Sequence, residues 1–194
     1  LDKEIMEIKN FIKIYDEVLP WNVLSNLIRF ANISKFEETK VGSSNGGQVN
    51  FNVRRAFSLP LNNTSNSISN VHWFNLLQFY FDKNLKQYKF DANILDYEYK
   101  NIIDVEILKY ENTGFYTWHV DHFAEIPRTM SCILLLNNDY DGGNLCFRNP
   151  DGGGEWEVDV KPNRMIIWPS NFLYPHTVKP VTKGKRYSVV AWAL

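Results

Sequence analysis

His119 and Asp121 stand two residues apart in the alternating run FYTWHVDH, residues 115–122. On a strand those side chains share one face, about 6.5–7 Å apart along the chain. One metal ion can bridge that separation. His176 opens another alternating run 57 residues later (176 − 119). Two imidazoles and one carboxylate suit a divalent transition metal and leave part of its coordination sphere open. A structural zinc site would close with a fourth protein ligand, and none presents itself. Taken alone, a His-x-Asp pair also fits a packed histidine beside a solvated aspartate.

Arg186 follows ten positions after His176, in GKRYSVVAW. On a strand Arg186, Ser188, Val190 and Trp192 face the same way. A buried arginine is costly unless an anion meets it. The segment offers no carboxylate partner, whereas a dicarboxylate ligand held bidentately would supply one.

With these residues together, the sequence resembles the iron(II)- and 2-oxoglutarate-dependent dioxygenases. Within them it is similar to the prolyl-4-hydroxylase-like group, which includes the bacterial PKHD-type hydroxylases. The resemblance is carried by Tyr110, Gly114, Tyr116, His119 and Asp121, then RTMSCILLLN at 128–137, DYDGGNLCF at 139–147, and PHTVKPVTKGKRYS at 175–188. It implies a double-stranded β-helix, or jelly roll, with supporting N-terminal helices. It further implies that His119, Asp121 and His176 bind Fe(II) and that Arg186 pairs with the distal carboxylate of 2-oxoglutarate, with Ser188 beside it. Tyr110 falls where relatives place a tyrosine that hydrogen-bonds the cosubstrate. Ser131 matches a hydroxyl-bearing pocket position, and Trp192 closes the floor near the metal. Leu135 stands where some animal relatives carry a further cosubstrate-binding tyrosine.

The implied reaction uses O2, decarboxylates 2-oxoglutarate to succinate and hydroxylates a prolyl or other residue of a peptide or protein, with ascorbate as a reductant. The alternatives are a dioxygenase of the same fold acting on a small molecule, a nucleobase or a lipid, and a non-catalytic jelly-roll binding module. Arg54, Arg55, Tyr116 and Arg128 are candidates for the substrate rim; for Arg54 and Arg55 the other reading is a solvated strand edge. His122 should point away from the metal face as a rim residue. His72 falls in a helical pattern as a packing or surface histidine.

These residues need a frame. Pro20 suits a first helical turn, and Val23, Leu24, Leu27, Ile28 and Phe30 follow at helical spacing. A second helical pattern covers about residues 67–88. Between them the Gly, Ser and Asn clusters predict loops, with a strand around Val49 to Phe57. From Ile102 the period becomes two, and about eight short apolar runs separated by turn signals predict an all-β sandwich or barrel. The fold class is therefore mainly β with N-terminal helices. A single domain is expected over 1–194, with a support and substrate-access region at 1–100 and a catalytic jelly-roll core at 101–194.

Composition sets the outer limits. The chain has 194 residues, 44% hydrophobic and 15% aromatic, and a formal net charge of −1. It can bury a sizeable core, and bulk capture of nucleic acid or anionic membrane is not expected. No run approaches the ~18–20 apolar residues of a membrane span. The first eighteen residues carry acids throughout and no signal-peptide core, so a cytoplasmic protein is expected. Two cysteines, Cys132 and Cys146, cannot build a disulfide scaffold and read as reduced core thiols.

Overall fold

Each of the eight alternating runs after Ile102 contains a strand in the computed structural model, which describes residues 7–41 and 47–194. Residues 1–6 and 42–46, the latter inside the Gly/Ser/Asn-rich stretch, lie outside the described residues. In chain order the elements are β1 (Lys13–Tyr15), α1 (Trp21–Ile33), β2 (Glu37–Glu38), β3 (Arg54–Arg55), β4 (Phe57–Pro60) and α2 (Ile68–Asp91). Then come β5 (Ile102–Glu111), β6 (Phe115–His119), β7 (Met130–Leu135), β8 (Asp141–Gly142), β9 (Leu145–Arg148) and β10 (Glu155–Glu157). The chain ends with β11 (Arg164–Pro169), β12 (His176–Val178), β13 (Val181–Lys183) and β14 (Lys185–Ala193).

Strands β1-β11-β7-β14-β5-β4-β2 form a seven-stranded sheet, and β10-β9-β12-β6-β3 a five-stranded one. All described pairings are antiparallel. The two sheets are the walls of a jelly roll. Strand alternation divides the larger sheet between two cores. Val105 and Ile107 on β5 and Cys132 and Leu134 on β7 join the helix-side core. Leu108 and Tyr110, with Ile133 and Leu135, join the core between the sheets, where Leu145, Phe147 and Val178 meet them from the smaller sheet.

The helices cover the outer face of the larger sheet. Pro20 occupies the N-cap of α1 with φ −54°, and Leu24, Leu27 and Ala31 are its buried stripe. The Ser67 hydroxyl accepts the Asn70 N–H at the start of α2, and Trp73, Leu77, Phe81, Leu85 and Tyr88 follow on one face. Burying side chains of this size stabilises by about 1.5–3 kcal/mol each. Asn163 ties the front of α1 to the sheet: it is fully buried at φ +63°, accepts the Leu19 N–H and donates to the Leu19 carbonyl.

Two expectations change. The strand around Val49 to Phe57 starts later, at Arg54. The Asn50 side chain accepts the Asn52 N–H and its carbonyl accepts from Val53 and Arg54, so a turn occupies that stretch. The first hundred residues also do more than support: β1, β2 and β4 extend the larger sheet and β3 extends the smaller one. These strands have two to four residues each, too short to show a period. None of the described helices is long and apolar enough to cross a membrane.

Candidate active site

His119 ends β6 and pairs directly with His176, which opens β12. Cross-strand pairing of the two therefore does what spacing alone could not and brings both rings to one point. Their centroids lie 4.1 Å apart. Asp121 completes the group but is not on the strand, because β6 stops at His119. Strand alternation therefore does not aim Asp121; its perch comes from another strand. Ser131 on β7 donates to Asp121 Oδ2 at 2.7 Å, and the Ser131 and Ser170 hydroxyls are 2.7 Å apart. The His122 N–H donates to the Ser170 carbonyl, which pins the chain just after Asp121.

The His Nε2 atoms lie 3.6 Å (His119) and 3.4 Å (His176) from the Asp121 carboxylate oxygens. These are close to the ~3.0–3.6 Å edges expected around one ion with bonds of about 2.0–2.2 Å. The donor atoms all lie within 4.8 Å of one another, and this is the one such group among the described residues. His119 Nδ1 is 2.8 Å from the Thr117 carbonyl and His176 Nδ1 is 3.0 Å from the Tyr174 carbonyl. A carbonyl only accepts, so each Nδ1 carries the hydrogen and each Nε2 offers its lone pair to the carboxylate side.

Electrostatics favour a cation at this point. Burial, and then the neighbouring His176, push the His119 imidazole down to about 3. Burial raises the Asp121 carboxyl, but His176, His119 and the Ser131 hydroxyl overcome it and hold it at about 2. At neutral pH His119 is therefore a neutral imidazole and Asp121 a carboxylate.

A cavity of about 390 Å³ opens over this triad between the two sheets. Arg186, on β14, is fully buried and pairs across to Tyr110 on β5; Tyr110 lines the cavity, whereas Arg186 and Ser188 are not among its lining residues. Its Nη1 donates to Ser188 at 3.0 Å, and its guanidinium sits 5.2 Å from the Tyr110 ring centroid. Its Nε and Nη2 have no hydrogen-bond partner among the described residues. Gly143, at φ +67°, makes room for the stem, since a Cβ there would lie 3.0 Å from Arg186 Cδ and 2.8 Å from Val181 Cγ2. Two unpartnered buried guanidinium donors fit an anionic ligand.

The family model described as the 2OG-Fe(II) oxygenase superfamily matches residues 105–194. Curated relatives match part of the chain as well. A PKHD-type hydroxylase of Alteromonas mediterranea is 34% identical over 94 residues, covering 43% of this chain and 40% of its own. One from Janthinobacterium sp. (strain Marseille) is 39% identical over 94 residues with the same coverage. The chain thus spans about 40% of the length of these relatives. Solved structures share the fold over nearly the whole chain. A prolyl hydroxylase from Trichoplax adhaerens aligns with a TM-score of 0.74 at 15% identity, over 95% of this chain and 84% of that one. A prolyl-4-hydroxylase from Pseudomonas putida aligns at 0.69 and 18% identity, over 95% and 92%.

The other expected residues of the matched segment divide. Tyr110, Tyr116, Ser131, Arg128 and Trp192 line the cavity. The Ser131 hydroxyl is committed to Asp121 rather than free for a cosubstrate. Tyr116 stacks on His119 with centroids 3.5 Å apart. Arg128 lies 3.9 Å over the Trp192 ring and pairs with Asp104 at 2.7 Å, so part of its charge is already met. His122 is exposed, with Nδ1 3.0 Å from the Arg128 carbonyl.

Among the candidates that precede the matched segment, Arg54 lines the cavity. It is not a solvated edge: its guanidinium covers the Tyr116 ring at 4.7 Å. Arg55, its neighbour, faces the other way and donates to the Thr113 hydroxyl at 2.8 Å, because successive strand residues alternate. It is not among the cavity residues. Sequence reasoning missed Glu106. A glutamate two positions before Leu108 and four before Tyr110 shares their inward face, and that alternation was the available signal.

Proposed function

We propose that the chain is an Fe(II)- and 2-oxoglutarate-dependent dioxygenase that hydroxylates a prolyl or other residue of a peptide or protein. The observation that carries this reading is the pairing of an open-faced His119, Asp121, His176 group with a buried Arg186 that has two unpartnered donors. The triad by itself would suit many divalent metals and reactions, and a buried arginine by itself any anion. Together they match a metal chelated by an oxo acid whose far carboxylate needs an anchor.

The donor set fits iron: two imidazoles and one carboxylate on one face leave positions for a chelating cosubstrate and O2. When bound, iron with 2-oxoglutarate supplies the oxidising power for C–H hydroxylation, with succinate as coproduct. The residues of the chain orient and hold. The Thr117 and Tyr174 carbonyls fix the imidazole tautomers. Ser131 and Ser170 fix Asp121. Arg186, Ser188 and Tyr110 take the distal carboxylate. Leu135, buried beside Ser188 in register, contributes only apolar wall, which leaves Arg186 as the main anchor.

In this reading residues 101–194 carry the chemistry and residues 1–100 frame substrate access, as one domain. Thr39, Lys40 and Val41 at the cavity, with Arg54, Ser58 and Pro60, support that division of labour. Two free, buried thiols suit a reducing, cytoplasmic setting, and ascorbate is the expected reductant. The test is mass spectrometry of prolyl-containing peptides incubated with the protein, Fe(II), 2-oxoglutarate and ascorbate. A product heavier by one oxygen, formed only with the complete mixture, is expected. Succinate formation with no oxygen gained by any peptide would reject the peptide substrate.

A further inference from the structure

Two opposite charges face the cavity from opposite walls without meeting. Arg54 stands on β3 of the smaller sheet, paired with Tyr116. Glu106 stands on β5 of the larger sheet, between Pro60 on β4 and Val190 on β14. Neither forms an ion pair among the described residues. Arg54 Nε is buried without a hydrogen-bond partner there. Burial raises the Glu106 carboxyl, and Arg54 pulls it part of the way back, so the two sense each other across the gap.

Both residues are half-buried, and holding a guanidinium and a carboxylate partly out of water and apart costs free energy. A ligand bridging them recovers that cost if it offers an acceptor to one and a donor to the other. Such a pair occurs within a few bonds in any aminoacyl unit. The place also suits a reacting group, because Arg54 covers Tyr116 and Tyr116 stacks on His119. Arg128 is a weaker candidate for the same task, since Asp104 already pairs with it.

We propose that Arg54 and Glu106 form a subsite for an aminoacyl unit, Arg54 receiving its carbonyl or carboxylate oxygen and Glu106 its nitrogen-borne hydrogen. This names the substrate chemistry of the same cavity and rests on the oxygenase reading for the reaction that follows binding. A free amino acid and a residue within a peptide share this chemistry. In a peptide, where a prolyl nitrogen has no hydrogen, the amide N–H of the next residue meets Glu106.

The test is ligand-observed NMR on metal-free protein with four probes: L-proline, N-acetyl-L-proline, L-prolinamide and the blocked tripeptide N-acetyl-Ala-Pro-Ala-amide. If the unit is a free amino acid, L-proline binds tightest. Glu106→Gln then weakens proline and prolinamide about tenfold relative to N-acetylproline. Arg54→Gln weakens proline and N-acetylproline about tenfold relative to prolinamide, and Arg54→Lys recovers part of that loss. If the unit lies in a peptide, the tripeptide binds tightest and both Gln variants weaken it about tenfold. Binding of every probe within about twofold of wild type in both Gln variants overturns the proposal, as does no binding by wild type. Intact, charge-selective binding without Fe(II)- and 2-oxoglutarate-dependent succinate would reject the oxygenase reading and leave the subsite standing.

Discussion

Asp121→Asn is expected to lower 2-oxoglutarate-dependent succinate formation at least about a hundredfold, while the protein stays folded. Loss of a partner that merely orients a ligand already costs about 10–100-fold, and Asp121 is the only carboxylate in the group. The Asn side chain keeps the shape and can still accept from Ser131, so the fold has little reason to change. His119→Ala should lose activity likewise and gives a second readout. In metal-free protein the His119 imidazole is held near 3 by burial and by His176. The unfolded chain takes up a proton near the ordinary histidine value of about 6.5, and the folded chain does not. Stability contributed by neutral His119 is therefore present above about pH 6.5. It falls as pH drops toward about 3, at about 1.4 kcal/mol per pH unit for one proton. Denaturant titrations of metal-free protein between about pH 7 and 4 should show this slope in wild type and a shallower one in His119→Ala. Equal slopes would mean the imidazole is not held neutral by the site.

Arg186→Met should separate stability from function in opposite directions. The wild-type guanidinium is fully buried, and its Nε and Nη2 make no hydrogen bond among the described residues. Replacing a buried, poorly compensated charge with an apolar side chain of similar reach is expected to stabilise the cosubstrate-free protein by about 1–3 kcal/mol. The loss of the Ser188 hydrogen bond trims that gain. The 2-oxoglutarate concentration for half-maximal turnover should rise at least about thirtyfold, since truncating one side of a buried charge pair costs about 2 kcal/mol or more. Thermal melts with and without 2-oxoglutarate, beside a steady-state titration, read both effects. A variant that is less stable and still binds 2-oxoglutarate normally would remove Arg186 from the anchor role.

The parts of the site legible in the sequence are those that local periodicity controls. His119, His176 and Arg186 sit on or at the ends of β6, β12 and β14, whose alternating runs fix the facing of the side chains. Asp121 shares the metal face for a different reason from alternation, since the strand ends two residues earlier and Ser131 sets the carboxylate from β7. Arg54 and Glu106 were harder. Their relation exists only because β3 and β5 belong to opposite sheets, and that depends on pairings between residues distant in sequence, Arg54 with Tyr116 and Glu106 with Val190. The short strands β1 to β4 take their conformation from the edges they complete, so no local pattern announces them. Glu106 was readable in principle, as a charged residue in step with the inward-facing Leu108 and Tyr110 on β5.

If His119, Asp121, His176 and Arg186 together hold iron and 2-oxoglutarate, anaerobic titration of the protein with both, followed by visible absorption, reads that assembly without needing a substrate. A weak charge-transfer band is expected that requires both components, is lost in Asp121→Asn, and needs more 2-oxoglutarate in Arg186→Met. Folded wild-type protein that gives no such band with both components present would overturn the shared site.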